Sequence, residues 1–172
     1  RSVLAEGRAL DLQYTPYGGA TVPRRLVARA LAASTGLQFR FSDVVLTPGA
    51  MGALTLVMRR LASTYEGRSK GELVILTPSW LDYPLYAANA GLTPVMVPLD
   101  RATLRLDLHA IERALTDDTV GIVLTQPGNP TGLLHTSDEL TALAALLDAR
   151  ARPPLLVSDE AHRDIVFDGA TL

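Results

Sequence analysis

The sequence predicts an α/β protein built on a mostly parallel sheet with flanking helices. Three observations predict it. Short, continuous apolar runs alternate along the chain with stretches of helical period. Each run is unbroken by polar residues, as strands buried on both faces require, whereas half-exposed strands alternate. Residues of unusual chemistry fall just after the runs, where open parallel sheets place their ligands.

The first 43 residues read as a lead-in loop and helix. Tyr14–Gly19 (Y-T-P-Y-G-G) is rich in turn formers and aromatics, and Pro23–Ala33 places Leu26, Val27, Ala30 and Leu31 on one helical face. Such an aromatic turn often serves packing alone, although loops carry a disproportionate share of function. The α/β core is expected from residue 44 to 172. Its strands are Val44–Leu46, Glu72–Leu76, Pro94–Leu99, Val120–Leu124 and Leu155–Val157. Helices are expected over Met51–Leu61, Leu81–Ala90, Leu108–Leu115 and Ser137–Leu147. The last is announced by Thr136 and Glu139, spaced as a capping box ahead of Leu140, Leu143, Leu146 and Leu147. Helices between successive strands argue for parallel pairing.

Composition narrows the function. The 172 residues are 48% hydrophobic and 20% charged, with 16 Lys+Arg against 18 Asp+Glu and a net charge of −2. That balance gives no electrostatic reason to expect nucleic acid or an anionic membrane as partner. The absence of cysteine excludes disulfides, thiolate metal sites and thiol nucleophiles within this sequence. No apolar run reaches the length of a membrane span, and no signal-peptide pattern opens the chain, so a cytoplasmic location is expected. Arg1 stands where Met is usual, and Gly169–Leu172 carries no stop signal, so a piece of a longer protein is expected.

The residues after the strands have definite chemical uses. Gly49, Ala50 and Met51 follow the first run at a helix start, where backbone N–H groups and the helix dipole can seat a phosphate; a plain strand-to-helix turn has the same look. Trp80, after the second run, can stack on a flat heterocycle or simply fill core. Asp159, after the fifth, can pair with a protonated ring nitrogen or cap a helix. The most specific string is Gln126–Gly132 (Q-P-G-N-P-T-G), whose prolines and glycines set a rigid turn that can aim the Asn129 amide. It stands 30 residues before Asp159 in S-D-E-A-H.

Together these strings resemble the class I/II aminotransferases, fold-type I enzymes dependent on pyridoxal 5'-phosphate (PLP). The resemblance runs through Y-T-P-Y-G-G from Tyr14, L-T-P-G-A-M-G-A-L from Leu46, T-P-S-W from Thr77, Q-P-G-N-P-T-G and V-S-D-E-A-H from Val157. It implies that the chain is part of the PLP-binding large domain of an enzyme moving an amino group between an amino acid and a 2-oxo acid. By resemblance, Gly49, Ala50 and Met51 hold the cofactor phosphate, Trp80 stacks on the pyridine, and Asn129 donates to its phenolic oxygen. Asp159 pairs with the ring nitrogen, and Tyr14 reaches the phosphate of a neighbouring subunit in a homodimer. Asp159 and Asn129 are thus the implied catalytic residues, with no metal. The resemblance also implies cis bonds at Thr77–Pro78 and Asn129–Pro130.

His162 departs from the pattern, because the family commonly has Tyr three residues after the aspartate. An imidazole can still donate to the phenolic oxygen, but it titrates near neutral pH. The D-E-x-H string is also similar to the C–S β-lyases of the same fold, and a non-catalytic remnant of the fold is a further alternative. Lys70 is the sole lysine, in a polar run at a strand start, and is expected to be solvated. The Schiff-base lysine and the arginine for the substrate carboxylate are therefore expected after Leu172. The family's sheet has seven strands with the first beside the last. Val44–Leu46 is accordingly expected to lack a strand partner here, leaving the region to Leu61 poorly folded in the isolated chain, with weak PLP binding.

Overall fold

The structure, a computed structural model, describes residues 14–66 and 70–167. It divides into two compact units, Arg1–Ala53 and Leu54–Leu172. Part of the polar run Gly67–Gly71, and the chain end after Phe167, lie outside the described residues.

In the first unit, helix α1 (Thr21–Thr35) ends at Gly36, whose φ of 73° supplies the left-handed cap and lets its N–H return to the Ala32 carbonyl at 3.0 Å. A short 3₁₀ turn follows at Phe41–Asp43. The expected strand Val44–Leu46 does not form. Its backbone is extended at Val44, and three of its polar groups find partners outside any ladder, the Val44 N–H donating to the Phe41 carbonyl at 3.3 Å. The Arg24 Nε donates to the Val44 carbonyl at 2.6 Å, and the Leu46 N–H donates to the Gly18 carbonyl at 3.0 Å. Backbone groups demand partners, not strand partners in particular, and a guanidinium and a turn carbonyl meet the demand here. Helix α2 (Gly49–Thr64) begins in this unit.

The second unit is built on four strands: β1 (Glu72–Thr77), β2 (Thr93–Pro98), β3 (Thr119–Thr125) and β4 (Leu155–Asp159). They lie in the order β2-β1-β3-β4, every pair parallel. Helices α3 (Tyr83–Ala90), α4 (Leu108–Ala114) and α5 (Ser137–Asp148) make the connections.

The period of two along the central strands sorts their side chains into two cores. Val74 and Leu76 of β1 join Ile122 and Leu124 of β3, with Ile111, Leu143 and Leu147 from α4 and α5. Leu73 and Ile75 point to the other face with Val123, covered by Leu54, Met58 and Leu61 of α2 and by Tyr83 and Ala87 of α3. Gly121 is required by close approach: a Cβ there would sit 3.0 Å from Leu61 Cδ1 and 3.2 Å from the Leu155 carbonyl. The Thr136–Glu139 capping box forms as its spacing predicts, the Thr136 Oγ1 accepting from the Glu139 N–H at 3.2 Å and Glu139 Oε2 from the Thr136 N–H at 2.8 Å.

Candidate functional site

Parallel pairing brings the carboxyl ends of β1, β3 and β4 to one edge, and the polar residues gather there. Thr125 and Asp159 are register partners at the ends of β3 and β4, and the Gln126 N–H donates to the Asp159 carbonyl at 3.0 Å. Thr77 ends β1, and Trp80 follows three residues later.

Asp159 is half-buried. Its Oδ2 accepts a hydrogen bond from the Tyr83 hydroxyl at 2.6 Å, and its Oδ1 accepts from the Ala161 N–H at 3.0 Å. The same Tyr83 oxygen lies 2.7 Å from Thr125 Oγ1. Burial, followed by the hydrogen bond to Asp159, pushes the Tyr83 phenol well above its ordinary value. Trp80 is half-buried; its ring meets Tyr83 edge-on at 5.4 Å and stacks on Tyr86 at 5.7 Å.

The Q-P-G-N-P-T-G loop closes on itself. The Gly128 N–H donates to the Leu133 carbonyl at 2.8 Å, and the Gly132 N–H returns to the Gly128 carbonyl at 2.7 Å. A Cβ at Gly128 would collide with the Thr131 side chain, which would have to turn away to admit it. Asn129 stands at the half-buried tip and lines a small cavity with Pro78, Ser79, Thr125 and His135. Thr77–Pro78 and Asn129–Pro130 are cis, and so is Gln126–Pro127, which the sequence did not signal. His162 lies on the other side of the loop, in an open cleft of about 790 Å³ with Pro127, Gly128, Gly132 and Leu133.

The structure therefore brings Trp80, Asn129 and Asp159 to one sheet edge, with His162 beside the Asn129 loop. Gly49, Ala50, Met51 and Tyr14 belong to the first unit. Gly49 opens α2 with φ 73°, its N–H donating to the Thr47 carbonyl at 2.8 Å; Tyr14 is fully exposed. Lys70 is exposed before the amino end of β1, at the opposite end of the parallel sheet from Asp159. Tyr83 and Thr125 were missed in the sequence. A signal existed for Tyr83, since a tyrosine on the buried face of a helix needs a partner for its hydroxyl. Among the described residues no group of three His, Asp or Glu is placed to hold a metal, and no helix is long and apolar enough to cross a membrane.

Comparison with known proteins gives these features a setting. Residues 6–171 match the family model for aminotransferase class I and II. An aspartate aminotransferase of Geobacillus stearothermophilus is 31% identical over 92% of this chain and 39% of its own length. A probable aspartate/prephenate aminotransferase of Thermus aquaticus is 30% identical over 99% of this chain and 42% of its own. Among solved structures, the aspartate aminotransferase of Thermus thermophilus with maleate superposes with a TM-score of 0.86 at 27% identity, covering 99% of this chain and 42% of that one. The chain thus spans about two fifths of the length of the curated relatives it matches.

Proposed function

The chain belongs to the aminotransferase class I and II family, and from that premise we propose that its protein is a PLP-dependent aminotransferase moving an amino group between an amino acid and a 2-oxo acid. The observation that carries the reading is the Asp159 carboxylate at the carboxyl edge of a parallel sheet, held by the Ala161 N–H and by Tyr83, whose ring the Trp80 indole meets edge-on. The edge fits the cofactor's chemistry. Each Asp159 oxygen accepts one hydrogen bond and keeps lone-pair capacity for a cationic ring nitrogen, and the half-buried indole offers a partner for a flat heterocycle.

Bound there, PLP supplies an electron sink for the substrate's amino-bearing carbon. In this reading Asp159 keeps the proton on the ring nitrogen, and Trp80 covers the ring. The Asn129 amide, aimed by its closed loop, donates to the phenolic oxygen, and His162 is a second donor from across that loop. The Gly49–Met51 turn takes the phosphate on the amino end of α2, and Tyr14 reaches the phosphate of a second subunit, which makes the protein a homodimer. Residues 1–172 then form part of the cofactor-binding domain, with residues 1–43 as lead-in and 44–172 as its α/β core, and with the Schiff-base lysine supplied from outside these residues. A cytoplasmic enzyme of amino-acid metabolism is consistent with all of this.

The relatives named for aspartate make aspartate the first amino donor to try. The whole protein, supplied with PLP, aspartate and 2-oxoglutarate, is expected to form oxaloacetate and glutamate. Failure with a panel of amino donors, together with pyruvate release from cystathionine, would replace this reading with the C–S lyase that His162 suggests.

A further inference from the structure

Tyr83 is fully buried, yet its single polar atom does not face solvent or helix backbone. It reaches across to the strand ends, 2.6 Å from Asp159 Oδ2 and 2.7 Å from Thr125 Oγ1. Thr125 and Asp159 are register partners on adjacent strands, so the sheet itself sets the spacing the phenol bridges. The ring is fixed by its packing among Leu73, Ile75, Ala87 and Val123 and by its edge-on contact with Trp80.

We propose that Tyr83, backed by Thr125, is a positioning residue that holds Asp159 in place as an anionic acceptor. This rests on the reading of Asp159 as the partner of a cofactor's ring nitrogen. Counting protons gives the direction. A phenol has one proton, and facing a carboxylate it donates that proton to Asp159. Its oxygen is then an acceptor, and the Thr125 hydroxyl donates to it. The chain of donors runs Thr125 to Tyr83 to Asp159, and every link points at the carboxylate. Burial and the neighbouring carboxylate keep the phenol protonated. Hydrogen bonds donated to a carboxylate favour its ionised form. Without them the carboxylate becomes the stronger base, and the shared proton moves from the ring nitrogen onto Asp159: an N–H bond gives way to an O–H bond, with no other reactant.

The test uses the whole protein loaded with PLP labelled with ¹⁵N in the ring, whose NMR shift reports protonation of that nitrogen. Y83F is expected to move the signal towards the unprotonated ring, by about tenfold in the proton's distribution. T125V should move it less, in the same direction, and T125S, which keeps the hydroxyl, should restore it. A purely structural role would change stability without this ordered shift and rescue. If D159N moves the signal while Y83F and T125V do not, the inference is overturned and the functional reading stands. If D159N also leaves it unmoved, or the wild-type protein takes up no PLP, the functional reading falls and this inference with it. Should Y83F fail to fold, the T125V and T125S pair decides, and an unmoved signal in T125V overturns the inference.

Discussion

Asp159 is the side chain on which the proposed chemistry rests. Its carboxylate is held on both oxygens by donors from separate elements, the Tyr83 hydroxyl from α3 and the Ala161 N–H just after β4. Such restraint lets it meet a cation without reorganising, which is where electrostatic contributions are largest. Asp159→Ala in the whole protein should therefore lower the rate of amino transfer by about 100-fold or more, a loss typical of removing one preorganised charge or donor. PLP should still bind, through the contacts proposed for Trp80 and Asn129. Steady-state rates, with cofactor content read from absorbance, check this; near-native turnover would remove Asp159 from its assigned role.

At the scale of elements, α5 shows how local signals and packing combine. The Thr136 side chain satisfies an orphan N–H at the helix start, and the Glu139 carboxylate returns the favour while also taking the Leu106 N–H at 3.3 Å and Arg105 Nη1 at 3.1 Å. Thr136→Ala should cost about 1 kcal/mol, measured as a lower urea midpoint with unchanged slope. The same turn carries a pH dependence. Burial pushes the His135 imidazole below its ordinary value of 6.5, despite the Glu139 carboxylate 3.7 Å away. The fold thus favours the neutral ring, while the unfolded chain takes up a proton at higher pH. The stability from His135 is full above 6.5 and is lost as the pH falls towards the lower folded value. Burial pushes Glu139 up, but hydrogen bonds from the Thr136 and Leu106 backbones and from the Thr136 hydroxyl, with the Arg105 charge, bring it below 4.5. Its contribution is present above 4.5 and is lost on further acidification. Thermal midpoints should therefore fall in two acid steps. His135→Phe should abolish the first and leave the second; a variant still falling in both would show another group titrating.

For the molecule as a whole, the polarity of the sheet decides which residues can work together. Parallel strands send every carboxyl end to one edge and every amino end to the other. Asp159, Asn129 and Trp80 are on the first edge; Lys70 is exposed at the second. Lys70→Ala should leave PLP binding and turnover of the whole protein within about twofold of wild type, as for surface substitutions generally. Loss of the bound cofactor's absorbance in that variant would contradict the placement.

Much of this was legible in the sequence because its signals are local. Apolar runs such as Leu73–Leu76 and Val120–Leu124 suit burial on both faces, and both became central strands. The capping box needs only a spacing of three residues, and it formed as spaced. Val44–Leu46 has the same local look and became no strand, because hydrogen-bond partners are a matter of tertiary neighbours: here the Val44 carbonyl and the Leu46 N–H pair with the Arg24 guanidinium and the Gly18 carbonyl. The Tyr83–Asp159 contact joins residues 76 apart in sequence, through a phenol that local patterning reads only as an apolar helix residue. The sequence alone determined the helices and the apolar runs of the sheet core, through local spacing and patterning. Only the tertiary structure decided which hydroxyls reach the carboxylate, since that depends on strand order and register, which no single segment encodes.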